Sequence, residues 1–159
     1  TEIYTLSLHD ALPILFTSEA QLTAFAAEIA LILVPGDVVY LCGELGTGKT
    51  TFARAIIQQR GSADPVTSPT FTLIETYHLD DVLVAHLDLY RIESDAEMEG
   101  IGLRDYLDGD WICLIEWPDR ALGMLPDPDL TVNLAYEGNG RSAVLIATER
   151  LTDRADWLK

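Results

Sequence analysis

Gly43-Glu44-Leu45-Gly46-Thr47-Gly48-Lys49-Thr50 is the stretch that decides the fold of this 159-residue chain. Its glycines allow backbone conformations that other residues avoid, and they let amide groups approach phosphate oxygens closely. Lys49 places an ammonium group against the β- and γ-phosphates of a nucleotide, and Thr50 offers its hydroxyl to Mg²⁺. The octapeptide, with Thr51 after it, therefore predicts a P-loop that binds ATP and Mg²⁺, and Lys49 is also assigned to catalysis.

The sequence on either side of the loop agrees with this interpretation. Val38–Cys42 is a continuous apolar run, as expected for a strand buried on both faces of a parallel sheet. Lys49–Arg60 has a helical pattern that stops at Gly61, and a helix that begins at the loop presents its positive end to phosphate. The chain contains no Asn-Lys-x-Asp element for reading guanine, so ATP is the expected nucleotide.

The remaining elements predict the fold class. Ser18 and Gln21 form a capping box for a helix that runs to about Leu33, and Ser94–Leu107 predicts one or two short helices. The other predicted strands are Thr70–Tyr77, Val82–Tyr90, Trp111–Glu116, Leu130–Tyr136 and Ser142–Thr148. The first two of these strands are predicted to form one hairpin, and the last two another. We therefore expect an α/β fold, a P-loop NTPase domain whose mixed parallel and antiparallel sheet is flanked by helices.

The first fourteen residues have a different character from the rest. Thr1–Ile14 reads like an in-frame translation of a widely used sequencing adapter, and it lacks the basic residues of a secretory signal. We therefore predict that residues 1–14 are not native and that residues 15–159 form a single P-loop ATPase domain; the alternative is a genuine N-terminal extension. Without Glu2 and Asp10, two negative charges fewer, the formal charge changes from −16 to −14.

The composition is that of a globular protein without a membrane span. Apolar residues make up 48% of the chain, and no apolar run approaches the roughly 18 residues that a span requires. Cys42 and Cys113 lie in apolar, strand-like runs, which predicts reduced, buried thiols and a cytoplasmic protein. A formal charge of −16 repels nucleic-acid backbones, so a more basic partner would have to make any such contact; alternatively, the charge only keeps the protein soluble.

Two acidic residues are candidates for the catalytic and metal-binding acid that a P-loop requires. Such an acid lies at the end of a neighbouring apolar strand. Glu116 ends the apolar run Ile112–Glu116, and Asp88 lies in the strand-like run Val82–Tyr90. The alternative for both is an ion pair, with Arg91 or Arg120 as the partner.

Two further features could respond to the nucleotide. Thr67, Ser68 and Thr70 follow the P-loop helix at about the distance where GTPases keep a switch that senses the γ-phosphate, and their hydroxyls could bind phosphate; they could also form an ordinary turn that enters a strand. Trp117 directly follows Glu116 and precedes Pro118, where the chain must leave the sheet. We predict that Trp117 lies near the nucleotide, although core packing is the alternative.

Taken together, five segments resemble the TsaE family (formerly YjeE), the ATPases of bacterial threonylcarbamoyladenosine synthesis on tRNA. In family order they are GELGTGKTTFAR (43–54), VTSPTFTLIETY (66–77), HLDLYR (86–91), GIGLRDYL (100–107) and ICLIEWPDR (112–120). No single segment beyond the P-loop is decisive, but five in order are. The likeness extends weakly from about Ser18 to Ala147.

The resemblance implies a cytoplasmic protein that binds ATP and Mg²⁺, hydrolyses ATP slowly and acts with the TsaB–TsaD heterodimer, which contacts the tRNA. It makes Thr50 and Glu116 ligands of Mg²⁺ and Asp88 a catalytic acid or water-positioning residue. It also makes Thr67–Thr70 a nucleotide-sensing switch and Trp117 part of a second switch.

Two other functions remain open on the same loop. A small-molecule or nucleoside kinase usually carries several arginines in a lid, whereas this chain has only ten Lys and Arg residues. A nucleotide-gated regulatory module would bind ATP without meaningful turnover. Asp88 and Glu116 favour hydrolysis.

Overall fold

A computed structural model of the chain describes residues 12–158 and contains a seven-stranded sheet with helices on both faces. The strands are β1 (Ile14–Phe16), β2 (Val38–Cys42), β3 (Ile74–His78), β4 (Leu83–Asp88), β5 (Trp111–Glu116), β6 (Leu130–Glu137) and β7 (Gly140–Ala147). The helices are α1 (Glu19–Ile32), α2 (Lys49–Gln59), α3 (Asp95–Gly100) and α4 (Glu149–Thr152). Short 3₁₀ turns cover Leu103–Tyr106, Pro118–Arg120, Leu122–Met124 and Asp156–Leu158. Most of the segment predicted to be adapter-derived, residues 1–11, lies outside the described residues.

The sheet has a parallel centre and antiparallel edges, which confirms the predicted mixed sheet. The strand order is β1-β7-β6-β2-β5-β4-β3. β2 runs parallel to both β5 and β6, and β4 runs parallel to β5. β3 is antiparallel to β4, β7 to β6, and β1 to β7. The carboxyl ends of β2, β5 and β4 therefore meet at one edge, the edge where ligands bind in open α/β sheets.

Alternate residues of the central strands divide the core into two halves. On one face, Val39 and Leu114 pack with the helices α1 and α2, whose buried residues include Ile29 and Phe52. On the other face, the second half of the core comprises Val38, Tyr40, Leu87, Ile92, Met98, Cys113 and Ile115. Both faces of the sheet are covered, which explains why β2 is apolar throughout and β5 is apolar up to its last residue, Glu116.

The predicted strand Thr70–Tyr77 is wrong at its beginning. β3 starts at Ile74, because Leu73 has a φ of 67° and its amide donates to the carbonyl of Pro69 at 2.8 Å, which closes a turn. The next predicted strand, Val82–Tyr90, is too long at both ends, since β4 covers only Leu83–Asp88. β1 and α4 were not predicted at all.

The other boundaries agree closely with the predictions. β2 and β5 have the predicted bounds, and the two short helices predicted in Ser94–Leu107 are α3 and the 3₁₀ turn Leu103–Tyr106. Both cysteines are free thiols, but the prediction that both are buried is wrong for Cys42, which is the last residue of β2, next to the P-loop, and is only partly buried. Cys113 is buried, and burial raises its pKa to about 12. Between residues 12 and 158, no helix has the length and apolar character needed to cross a membrane.

Candidate phosphate and metal site

The P-loop connects the end of β2 to the start of α2. Gly43 has a φ of 146°, and a Cβ there would lie 2.5 Å from the carbonyl oxygen of Leu134 on β6. Gly46 has a φ of 79°, and a Cβ there would lie 2.6 Å from the hydroxyl oxygen of Tyr136. Glycine is therefore required at position 43, where the backbone of β6 lies too close for a side chain, and it is favoured at position 46, where the positive φ would strain other residues.

The β6–β7 hairpin also holds the tip of the loop. The hydroxyl of Tyr136 donates to the carbonyl of Leu45 at 2.5 Å, and Nη2 of Arg141 donates to the carbonyl of Gly46 at 3.2 Å. The guanidinium of Arg141 lies 4.3 Å from the ring centroid of Tyr136, so the two side chains support each other.

Lys49 is enclosed by the loop that it follows. It is 4% exposed, and its Nζ donates to the carbonyls of Gly43 and Glu44, each at 2.7 Å. Nζ also lies 4.4 Å from the ring centroid of Trp117. Burial lowers the pKa of Lys49, whereas the nearby carboxylates, Glu116 first, act to raise it. The ammonium group is thus held at the mouth of the P-loop by groups that keep it directed there.

Glu116 lies beside Thr50, at the end of β5. It is 2% exposed, and the hydroxyl of Thr50 donates to its carboxylate with distances of 2.9 Å to Oε1 and 3.1 Å to Oε2. Nε2 of His86 lies 2.7 Å from Oε2. A hydroxyl, a carboxylate and an imidazole therefore meet where β4, β5 and the first turn of α2 converge.

Asp88 is the neighbour of Glu116 across the β4–β5 pair. Its Oδ1 accepts a hydrogen bond from the amide of Tyr90 at 3.0 Å, and Thr70 donates to Oδ2 at 3.4 Å. Burial raises the pKa of Asp88, and the charge of Glu116 raises it further, although the Tyr90 amide lowers it. The carboxylate is therefore a stronger proton acceptor than an exposed aspartate.

The ion pairs considered as the alternative for these acids do not form within residues 12–158. The guanidinium of Arg91 lies 4.6 Å from the ring centroid of Phe71, and that of Arg120 lies 5.4 Å from the ring centroid of Tyr90. Both arginines stack on aromatic rings and leave the two carboxylates directed into the site.

Trp117 lies in the wall of the site and also contacts the core beneath it. Its φ of 56° turns the chain out of the sheet directly after Glu116. Its ring centroid lies 4.9 Å from that of Tyr90. The two interpretations of Trp117 are therefore not exclusive, because one side of the indole faces Lys49 and the residue packs on the second half of the core.

These side chains border a cleft of about 310 Å³, which we call the phosphate cleft. It is lined by Leu45, Gly46, Gly48, Lys49, Thr50, Thr51, Ser68, Thr70, Asp88, Tyr90, Arg91, Glu116 and Trp117. The predicted residues Ser68 and Thr70 belong to it, with their hydroxyl oxygens 2.6 Å apart, whereas exposed Thr67 does not line it. Gly43 and Glu44 contribute their carbonyls to Lys49 instead of lining the cleft.

A second cleft of about 320 Å³ lies on the other side of the loop. It shares Gly46, Gly48 and Thr51 with the phosphate cleft and also contains Thr47, whose hydroxyl donates to the carbonyl of Glu44 at 2.8 Å. Its other lining residues are Phe16, Thr17, Ser18, Glu19, Leu22, Asn139, Gly140 and Arg141. The P-loop thus contributes lining residues to both clefts.

Several residues of this site were not predicted from the sequence, among them Tyr90, which lines the phosphate cleft beside Trp117. His86 had a usable signal, because it lies two residues before Asp88 and side chains alternate along a strand, so both occupy one face of β4. Arg91 was considered only as an ion-pair partner, although it lines the phosphate cleft. Tyr136 and Arg141 gave no signal, since they contact the loop from more than 90 residues away in sequence.

The donor set at Glu116 and Thr50 fits Mg²⁺. Carboxylate and hydroxyl oxygens are hard ligands, and Mg²⁺ usually takes one or two protein groups and completes its shell with water and phosphate oxygens. The described residues contain no cluster of three or more His, Cys, Asp or Glu side chains suited to a metal. A site with few protein ligands, completed by a phosphate, is therefore the kind of metal site this edge of the sheet can form.

Comparison with known proteins gives a consistent result. The sequence model of the family described as "Threonylcarbamoyl adenosine biosynthesis protein TsaE" matches residues 16–143. The chain is 45% identical to the tRNA threonylcarbamoyladenosine biosynthesis protein TsaE of Haemophilus influenzae over 138 residues, which cover 84% of this chain and 87% of that protein. It is 38% identical to the protein of the same name from Bacillus subtilis over 116 residues, covering 73% and 72%. The crystal structure of Bacillus subtilis YdiB superposes with a TM-score of 0.77 and 26% identity, covering 99% of this chain and 96% of that one.

Proposed function

The chain belongs to the TsaE family of threonylcarbamoyl adenosine biosynthesis proteins, and from this premise we propose that it binds Mg-ATP in the phosphate cleft and hydrolyses it slowly. Its turnover would support the TsaB–TsaD complex in the threonylcarbamoyladenosine modification of tRNA. The observation that carries the proposal is the convergence of Lys49, Thr50, Glu116 and Asp88 at the carboxyl edge of the sheet.

Each of these residues has a separate task in the proposed reaction. The ammonium of Lys49 faces the β- and γ-phosphates and neutralises charge that moves onto the leaving group. Thr50 and Glu116 would hold Mg²⁺, which when bound would supply positive charge against the phosphate oxygens. Asp88 orients the attacking water and accepts its proton, a role that its raised pKa favours.

The second cleft is the proposed place for the nucleoside. Thr51 borders both clefts, so a triphosphate in the first cleft would continue past Thr51 into the second. Ser18, Asn139 and Arg141 place hydroxyl, amide and guanidinium groups there, which suit the ribose and base edges.

The charge of the protein favours contact with other proteins over direct contact with tRNA. A formal charge of −16 on 159 residues repels a phosphate backbone. We therefore assign tRNA contact to TsaB–TsaD and place the activity in the cytoplasm, where tRNA is modified.

One experiment tests this function against its two rivals. ATP turnover is measured with and without TsaB–TsaD, and ADP and inorganic phosphate are both quantified. We expect slow, Mg²⁺-dependent turnover that responds to the partner complex, with equal amounts of the two products. A kinase would release less phosphate than ADP once its acceptor is present. A regulatory module would bind ATP without producing either product under any of these conditions.

A further inference from the structure

His86 is a buried imidazole whose surroundings are not explained by packing. It has no solvent exposure and lies on the same face of the sheet as Asp88. Its Nε2 is 2.7 Å from Oε2 of Glu116, while its Nδ1 has no hydrogen-bond partner within residues 12–158. Buried polar atoms without a partner are rare in folded proteins, because leaving one unpaired is unfavourable. A histidine at this position leaves Nδ1 unpaired, so the contact of Nε2 with Glu116 is the feature that accounts for it.

The contact with Glu116 fixes the tautomer of the imidazole. An ionised carboxylate only accepts hydrogen bonds, so Nε2 carries a hydrogen and donates a hydrogen bond to Oε2. Nδ1 then presents a lone pair to a part of the interior that offers no donor among the described residues. The same pairing of an imidazole N–H with a carboxylate orients ligands around metal sites in other proteins.

The carboxylate of Glu116 needs such a support because its terminal torsion is intrinsically soft. Rotation about the last bond of a glutamate has a broad, roughly two-fold profile, so the plane of the carboxylate is set by its neighbours. His86 contacts Oε2 from β4, and the hydroxyl of Thr50 contacts both oxygens from the first turn of α2. The two contacts come from different elements, β4 and α2, and together they define the plane of the Glu116 carboxylate.

We infer that His86 is a positioning residue for the metal ligand Glu116. Its Nε2–H holds the carboxylate plane so that the remaining lone pairs stay beside Thr50, ready for Mg²⁺. The inference rests on the proposed function, because it assumes that Glu116 binds the metal.

The test compares Mg²⁺ dependence with nucleotide affinity. Binding of a non-hydrolysable ATP analogue is titrated against Mg²⁺ and also measured in EDTA, for the wild type, His86→Leu, His86→Gln and Glu116→Gln. His86→Leu should raise the Mg²⁺ midpoint, the Mg²⁺ concentration at half-maximal binding of the analogue, by roughly 10–100-fold, the usual cost of losing such a support. Its affinity for the analogue in EDTA should stay close to that of the wild type. His86→Gln keeps an N–H at the position of Nε2 and should restore most of the midpoint.

His78→Leu is the matched control, because this exposed histidine lies on the neighbouring strand and makes an edge-to-face contact with Trp111. It should leave the midpoint unchanged. If Glu116→Gln raises the midpoint but His86→Leu does not, the positioning role is refuted and the proposed metal site stands. If Glu116→Gln has no effect, the metal site itself is wrong, and the inference fails with it.

A spectroscopic measurement on the wild type covers the case in which His86→Leu does not fold. The chain has three histidines, so ¹⁵N-histidine labelling gives a spectrum that single substitutions can assign. We expect the His86 ring to be the Nε2–H tautomer in the nucleotide-free protein. A ring protonated at Nδ1 alone could not donate to Glu116 and would overturn the inference.

Discussion

Replacing Asp37 by alanine should lower the free energy of unfolding by about 3 kcal/mol. Asp37 lies immediately before β2, the strand that leads into the P-loop, and its carboxylate is completely buried. Oδ2 accepts the amide of Val34 at 2.8 Å and Nη1 of Arg154 at 2.9 Å. Oδ1 accepts Nη2 of Arg154 at 3.0 Å and also Nη2 of Arg150. The carboxylate thus anchors Arg150 of α4 and Arg154, two residues after the end of α4, against the start of the central strand.

The magnitude follows from what the substitution leaves unpaired. Breaking a buried ion pair costs about 3–5 kcal/mol, because the remaining charge is buried without a partner. In this cluster the side chain of Arg150 is 57% exposed and can turn to Asp129 or to water, so the lower end applies. Arg154, at 24% exposure, and the amide of Val34 carry most of the loss.

Urea unfolding of the wild type and of Asp37→Ala measures this loss in the free energy of unfolding, with Asp81→Ala as the control. Asp81 also pairs with an arginine, Arg60 at 3.4 Å, but its side chain is 69% exposed. An exposed pair of this kind contributes about 0–1 kcal/mol. A loss of about 3 kcal/mol in Asp37→Ala should also lower Tm by roughly 6–12 °C for a domain of this size. Equal effects of the two substitutions would refute the reasoning, because burial would then not determine the strength of the pair.

Four further predictions concern the site. Lys49→Ala removes a charged contact worth about 1.5–3 kcal/mol, so ATP affinity or turnover should fall at least about tenfold in calorimetry or a product assay while the circular dichroism spectrum stays native; unchanged hydrolysis would refute the site. Asp88→Ala should cut turnover and spare binding, whereas Glu116→Ala should weaken the Mg²⁺ dependence of binding, and the reverse pattern would exchange their roles. Burial raises the pKa of Asp88 above its unfolded value of 3.8, so the ionised carboxylate destabilises the fold, and Asp88→Asn should unfold at a higher urea concentration than the wild type at pH 7. This difference in urea midpoint should vanish as pH falls below 3.8, where the carboxyl group is protonated in both states. A difference that does not depend on pH would show that burial of the charge is not its cause. In a variant with Trp117 as its only tryptophan, ADP and a non-hydrolysable ATP analogue should give different emission spectra, and identical spectra in the bound and empty states would leave Trp117 as a core residue.

The sequence predicted the centre of the fold well because the signals there are local. The apolar runs of β2 and β5 and the glycine-rich loop between β2 and α2 depend on residues adjacent in sequence. The strand-end position of Glu116 follows from the run of β5, whereas Asp88 was predicted only to lie within the strand-like run Val82–Tyr90 and is in fact the last residue of β4. These features are determined by burial on both faces of a parallel sheet, which leaves a clear pattern.

The errors occur where distant residues decide the conformation. Thr70–Leu73 has strand-forming residues, but Leu73 is held at positive φ, and its carbonyl accepts the amide of Asp88 at 3.0 Å. His86 was not predicted, because the chemistry of a P-loop calls for an acid at a strand end and gives no reason to expect an imidazole beside it. The contacts of Tyr136 and Arg141 with the loop join residues that no spacing rule relates.

The grip of the β6–β7 hairpin on the P-loop has a consequence for local opening of the protein. β6 pairs with β2 directly before the loop, and Tyr136 and Arg141 hold the loop at Leu45 and Gly46. Contiguous segments that share their hydrogen bonds open together in native-state hydrogen exchange. The amides of the loop should therefore exchange at rates that follow those of β6 and β7. A ligand that touches only the loop would slow exchange along the whole hairpin, so the hairpin amides become a remote reporter of occupancy.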